Sequence, residues 1–135
     1  MPNTYYTLQS GLMFHIFAGV QHAKPTGLAI GLCGPVPNNR SIIELPNQSG
    51  YARISVPPSL SNWSYQSDGY VFNNVPISFN IASGVWGWSS GVFIADSSAY
   101  SGGNVLFYNQ HPISRFINTL DQIVYPVSGL SILLT

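Results

Sequence analysis

Four carboxylates, three histidines and one cysteine are the side chains of this sequence that could carry chemistry. Glu44, Asp68, Asp96 and Asp121 lie about 24 to 28 positions apart, so no two share a helical turn or a strand face. A general acid–base pair would form only if the fold brought two of them together. His15, His22 and His111 lack the i, i+4 spacing of a metal-binding helix, and no cysteine or carboxylate completes a ligand pattern around them. Cys33 follows the apolar run Gly27-Leu28-Ala29-Ile30-Gly31-Leu32, where a small buried residue belongs. As the single cysteine it can form no internal disulfide. The nucleophile elbow Gly-x-Ser-x-Gly and a phosphate-cradling glycine loop are both missing. These residues predict a protein that is not an enzyme and uses no metal and no cofactor. Asp96 and Asp121 read instead as structural carboxylates that accept turn amides where strands end.

The other candidates are aromatic or cationic. Trp86 and Trp88 flank Gly87, so on an extended backbone they would point the same way. Such a pair beside Asn and Asp could form a carbohydrate platform. The alternative has Trp86 plugging the end of the fold and Trp88 covering a subunit contact, and tryptophan is enriched in the cores of interfaces. Arg53 falls between Tyr51 and Ser55 on one strand face. Its guanidinium could bond a carboxylate or carbonyls across a subunit boundary, or its stem could cover Tyr51 on an outer sheet. In a chain with so few charges a defined ion pair is the expectation, with Asp96 as the partner.

That scarcity bounds the function. Charged residues make up 6% of the 135, four basic against four acidic, where about a quarter is usual. Four scattered cations cannot supply the phosphate contacts that dominate nucleic-acid binding. No run of about 18 apolar residues is present to cross a membrane, and Met1-Pro2-Asn3-Thr4 does not open like a secretory signal. A neutral surface poor in Lys and Glu does little to keep like molecules apart. The composition therefore predicts an assembly subunit, with apolar residues at 45% sufficient for one packed domain.

The elements follow from periodicity. Leu8, Leu12 and Ile16 fall on one helical stripe, and Met13, Phe14 and Phe17 lie off it. The pattern predicts a short N-terminal helix or arm over 1–22, with Met13, Phe14 and Phe17 free to dock on a neighbour. From 23 to 135 the period is two. Strands are predicted at 28–33, 51–56, 70–72, 77–81, 92–95, 105–108, 122–127 and 130–134, divided by turn residues such as Ser101-Gly102-Gly103-Asn104. No βαβ alternation appears. The fold class is all-β, an antiparallel sandwich of about eight strands, jelly-roll-like or Ig-like, with Ile77, Phe79, Ile81, Ile94, Leu106, Leu130 and Ile132 in its core.

Several spaced elements run through the same region. They are Gly50-Tyr51-Ala52-Arg53, the strand Ile77 to Ile81 leading to Trp86-Gly87, and Val92 to Ala95 ending in Asp96. Gly102-Gly103-Asn104-Val105-Leu106-Phe107-Tyr108 follows, then Asp121 before two closing strands separated by Gly129. In this order the chain resembles a family of small tailed-phage virion proteins, of the tail-fibre-like or head-decoration kind. A Gly usually precedes the acidic residue at Asp121 in that family, and Leu120 stands there instead. The resemblance implies a β-sandwich virion protein, at head or tail. The reading expected from it is a capsid decoration or cement protein, a homo-oligomer (a trimer) on the outer surface of the major capsid protein. The alternative is a tail fibre or tail-tip module that contacts host glycans.

Overall fold

The computed structural model describes residues 3–4, 6–35 and 42–133. Its larger layer is a five-stranded antiparallel sheet in the order β1 (Asn3–Thr4), β8 (Val105–Ile117), β7 (Gly87–Ala95), β2 (Ala29–Cys33) and β3 (Ile54–Ser55). The facing layer is split. One part is a three-stranded sheet of β10 (Ser131–Leu133), β5 (Tyr70–Asn73) and β4 (Trp63–Tyr65), and the other pairs β6 (Ile77–Ser78) with β9 (Val124–Tyr125). Strand β4 escaped the periodicity because it is only three residues long and ends in an exposed tyrosine. The predicted strand end at Leu134 lies outside the described residues. Helix α1 (Tyr6–Phe17) is the helix expected near the N-terminus, and the preceding arm is tied to the domain as an edge strand on β8.

One apolar core joins the layers. Ile30, Leu32, Val92, Ile94 and Ile117 from the large sheet meet Trp63 and Ile132 from the three-stranded sheet, with Ile77, Phe79 and Trp86 fully enclosed. Burying each such side chain stabilises the fold by about 1.5–3 kcal/mol. The outer face of the large sheet holds a smaller cluster of Cys33, Phe93 and Ala95. Strand β2 is therefore buried on both faces, which explains its small alternate residues Ala29, Gly31 and Cys33.

Of the seven predicted core residues, six are buried and Ile81 is 56% exposed. The amide of Phe79 bonds to the carbonyl of Ile123 at 2.9 Å, and the amide of Ala82, three residues on, bonds to that of Asp121, two residues back. The extra residue is a bulge, which reverses the inside–outside alternation. Ala82 takes the buried place that strict alternation gave to Ile81.

A second irregularity lies between β7 and β8. Ser89 pairs with Arg115 and Gly91 with Gln110, so Ser90 alone stands opposite 111–114. Those four residues loop outward, held by a 2.9 Å hydrogen bond between the Ser90 and Ser114 hydroxyls. Pro112 lies within that loop, where a missing N–H disrupts no ladder.

The turn before β9 holds Leu120 in the left-handed region of the backbone, which favours glycine. Asp121 accepts the Asn118 amide at 2.8 Å, and between them Leu120 has φ of 72°, with its side chain 78% exposed. A residue with a Cβ is strained there by about 1–2 kcal/mol, and glycine is not. Leu120→Gly is expected to raise stability by up to about 1 kcal/mol, less than the strain because glycine also loosens the unfolded chain. Urea unfolding of the two proteins checks this, and a loss of stability would show that the Leu120 side chain has a partner.

Candidate functional site

The polar centre of the molecule forms where the 44–53 segment meets the open edge of β2. Ile54 pairs with Ile30, while Glu44 bridges to Cys33. The two contacts leave Arg53 and Glu44 flanking Gly31 from either end. Arg53 Nε donates to Glu44 Oε2 at 2.9 Å and Nη2 to Oε1 at 3.0 Å, the bidentate geometry that suits a guanidinium. Its remaining nitrogen, Nη1, donates to the carbonyls of Ser97 at 2.7 Å and Gly102 at 2.9 Å. Glu44 also accepts the Tyr51 hydroxyl at 2.7 Å and the Ser101 amide at 2.9 Å. Both side chains are almost closed to solvent, 3% and 5% exposed.

Aromatic rings seal the pair. The Arg53 guanidinium carbon lies 5.0 Å from the centre of the Phe93 ring, a cation–π contact. Phe93 pairs with Gly31 across β7 and β2, and a Cβ on Gly31 would run into the Phe93 ring. Glycine there lets the ring lie across β2 towards the guanidinium. Tyr51 meets Trp86 edge-on at 5.3 Å and Tyr100 at 6.3 Å, and the Trp86 indole donates to the Ser49 carbonyl at 2.8 Å. Burial, reinforced by the hydrogen bond to Glu44, pushes the Tyr51 hydroxyl far above its usual pKa. The Cys33 thiol is pushed up to about 12, first by burial and then by the Glu44 charge, so it stays neutral and unreactive.

The expected partner of Arg53, Asp96, is corrected to Glu44. Asp96 is occupied in its own hairpin, accepting the Asn104 amide at 2.6 Å and the Asn104 side-chain amide at 3.2 Å. Glu44 was missed because its segment has no periodicity, and only the β2 edge brings it beside Arg53. Every nitrogen of the Arg53 guanidinium is bonded within the chain.

The tryptophans do not point the same way. Gly87 has φ of 93°, which breaks the extended path between them, so Trp86 is in the core and Trp88 is 61% exposed. Trp88 lies opposite Phe116 on β8, their rings edge-on at 5.4 Å. Met13, Phe14 and Phe17 are all more than half exposed on α1, and so is Ile16, whose predicted stripe is buried only at Leu8. A third group was not found by sequence spacing. A cleft of about 540 Å³ between the outward loop of β8 and β9 is lined by His111, Arg115, Gln122 and Tyr125. Among the described residues, no three His, Cys, Asp or Glu side chains gather closely enough to hold a metal ion. None of their helices is long and apolar enough to cross a membrane.

The family model described as Podophage GP4 fiber I protein gp80 matches residues 3–133, from the edge strand on β8 through β10. The chain belongs to this family. The podophage fibre family is one of phage virion proteins, and its model covers the arm and helix as well as the sandwich. No curated protein matches the chain. In this fibre-family member the Gly50 to Arg53 element supplies the buried polar centre through Tyr51 and Arg53, and the Trp86-Gly87 element supplies the plug and the turn beside it.

Arg53→Met is expected to cost about 3–5 kcal/mol, because it leaves Glu44 buried without its counter-ion. The double replacement R53M/E44L should cost clearly less than the two single changes added together. Denaturant unfolding of the four proteins closes the cycle; strict additivity would mean that the two charges do not depend on each other.

Proposed function

We propose that this chain is a non-enzymatic structural subunit of a phage fibre, joined to copies of itself through its N-terminal helix. The observation that carries the reading is the exposure of Met13, Phe14, Ile16, Phe17 and Val20, each 57% exposed or more, in a chain with 6% charged residues. A monomer gains nothing from such a surface, whereas a neighbour that covers it gains the full hydrophobic term. Trp88 and Phe116 offer a second exposed aromatic surface for a subunit or for a host glycan. The family description speaks of a fibre and supports the tail. The capsid-decoration reading, a trimer clamped on the major capsid protein, draws on the resemblance and on the low charge, which a fibre subunit shares.

Two measurements test this. The intact protein should elute as a homo-oligomer by light scattering, and Phe14→Ser with Phe17→Ser should release a folded species near the 14.7 kDa of one chain. A wild-type monomer at micromolar concentration would remove the helix from the assembly. Virions lacking the protein should adsorb poorly to host cells yet rupture at the normal temperature, with few copies per wild-type particle. Unchanged adsorption, early rupture and hundreds of copies would instead place the protein on the shell.

A further inference from the structure

We propose that the cleft beneath the outward loop of β8 binds a small anionic ligand, its carboxylate or phosphate held between Arg115 and His111. This goes beyond the fibre reading and holds whether the protein sits in the tail or on the shell. The cleft is built rather than incidental. The insertion at 111–114 carries His111 out of the regular ladder while Arg115 returns to it opposite Ser89, which brings the two side chains to one cavity. A bulge that re-aims side chains in this way is a frequent feature beside binding sites. At about 540 Å³ the cavity is of the size that accepts a small molecule.

Its electrostatics are one-sided. No Asp or Glu lines the cleft. Arg53, the other arginine of the described sandwich, is saturated by Glu44 and two carbonyls, whereas the Arg115 guanidinium has no carboxylate or hydrogen-bond partner among the described residues. His111 contacts the Tyr125 hydroxyl at 3.4 Å. Leu32 and Ile123 in its lining are apolar. A guanidinium pairs bidentately with a carboxylate or a phosphate, the chemistry common to both ligand types. The Tyr125 hydroxyl remains to bond a neighbouring hydroxyl of the ligand.

Protonation gives the site a signature. Burial, and then the charge of Arg115, holds the His111 pKa below its ordinary value. Tyr125 on β9 is pushed up to about 12 by burial and by Cys33, and the Cys33 thiol is itself raised to about 12, so both are neutral at physiological pH. Asp121, next to Gln122 in sequence, is outside the lining and accepts the Asn118 amide. A bound anion offsets the Arg115 charge and favours imidazolium, so binding takes up a proton. Affinity therefore rises as pH falls and levels off below the His111 pKa of the free protein.

The experiment follows the His111 ring resonances of the full chain by NMR during titration with sodium phosphate, with sodium glucuronate, and with glucose at matched ionic strength. A saturable shift with at least one anion and none with glucose is expected, together with an upward move of the His111 titration midpoint. Arg115→Met, an exposed position whose change should leave the backbone spectrum intact, is expected to weaken binding about tenfold or more. Response to phosphate alone identifies a phosphorylated ligand, and response to glucuronate alone a carboxylated one. No saturable shift with either anion, an equal shift with glucose, or unchanged affinity in R115M would overturn the proposal.

Discussion

The buried pair of Arg53 and Glu44 is the constraint on which the rest of this structure depends. Two charges removed from water cost several kcal/mol each, and their attraction repays that only when every lone pair and proton is used. Here they are used. Arg53 reaches Glu44, Ser97 and Gly102, while Glu44 also reaches Tyr51 and Ser101. The pair thus fastens the irregular 44–53 segment, which reaches β2 only at its two ends, to the loop of the β7–β8 hairpin. A hydrophobic core could not do this, because apolar contact is non-directional and would accept many loop positions. The ion pair adds little net stability and fixes where the loops go.

The same principle recurs with neutral groups. Asn73, fully buried at the end of β5, donates to the carbonyls of Val75 and Pro126 at 2.9 Å each and accepts the Leu130 amide at 2.9 Å. It ties the two small sheets together as Arg53 ties the large one to its loops. Among the described residues no buried side-chain nitrogen or oxygen lacks a partner. Satisfaction by amides, hydroxyls and carbonyls is how a chain so poor in charge organises a sandwich whose facing layer is broken in two.

How much of this was legible in the sequence depended on whether the deciding interaction was local. Alternation within a strand is local, so Ile77, Phe79, Ile94, Leu106, Leu130 and Ile132 could be placed in the core, and Asp96 and Asp121 at turns. Ile81, and the same-side pairing of Trp86 with Trp88, went astray because one inserted residue or one positive φ reverses a face, and neither changes the spacing of apolar residues in the sequence. The polar centre was half visible. Arg53 stood out by its rarity, but Glu44 reaches it only through the pairing of β2 with two separate segments. Nothing marked the cleft at His111 and Arg115, since a bulge exists only relative to the strand it faces. Leu120 gave no sign in its own spacing of the left-handed backbone that the turn imposes on it.

The helix shows why folding and assembly belong together on the proposed reading. A helix of twelve residues is marginal in water on its own. Its tertiary hold is slight: Leu8 is its one buried large apolar residue, and the flanking arm adds two residues of edge strand to β8. Met13, Phe14, Ile16 and Phe17 fall within about half of the helix circumference, on the side turned away from Leu8, so the contact that buries Leu8 leaves all four exposed, as is Val20 just beyond the helix. A surface of this kind is completed by contacts from neighbours, as within a bundle of helices from several copies. Each copy would then supply the packing that the helix of another lacks. The free energy of association would include the ordering of the helices, and a helix poorly stable alone would become the most strongly held element of the assembly.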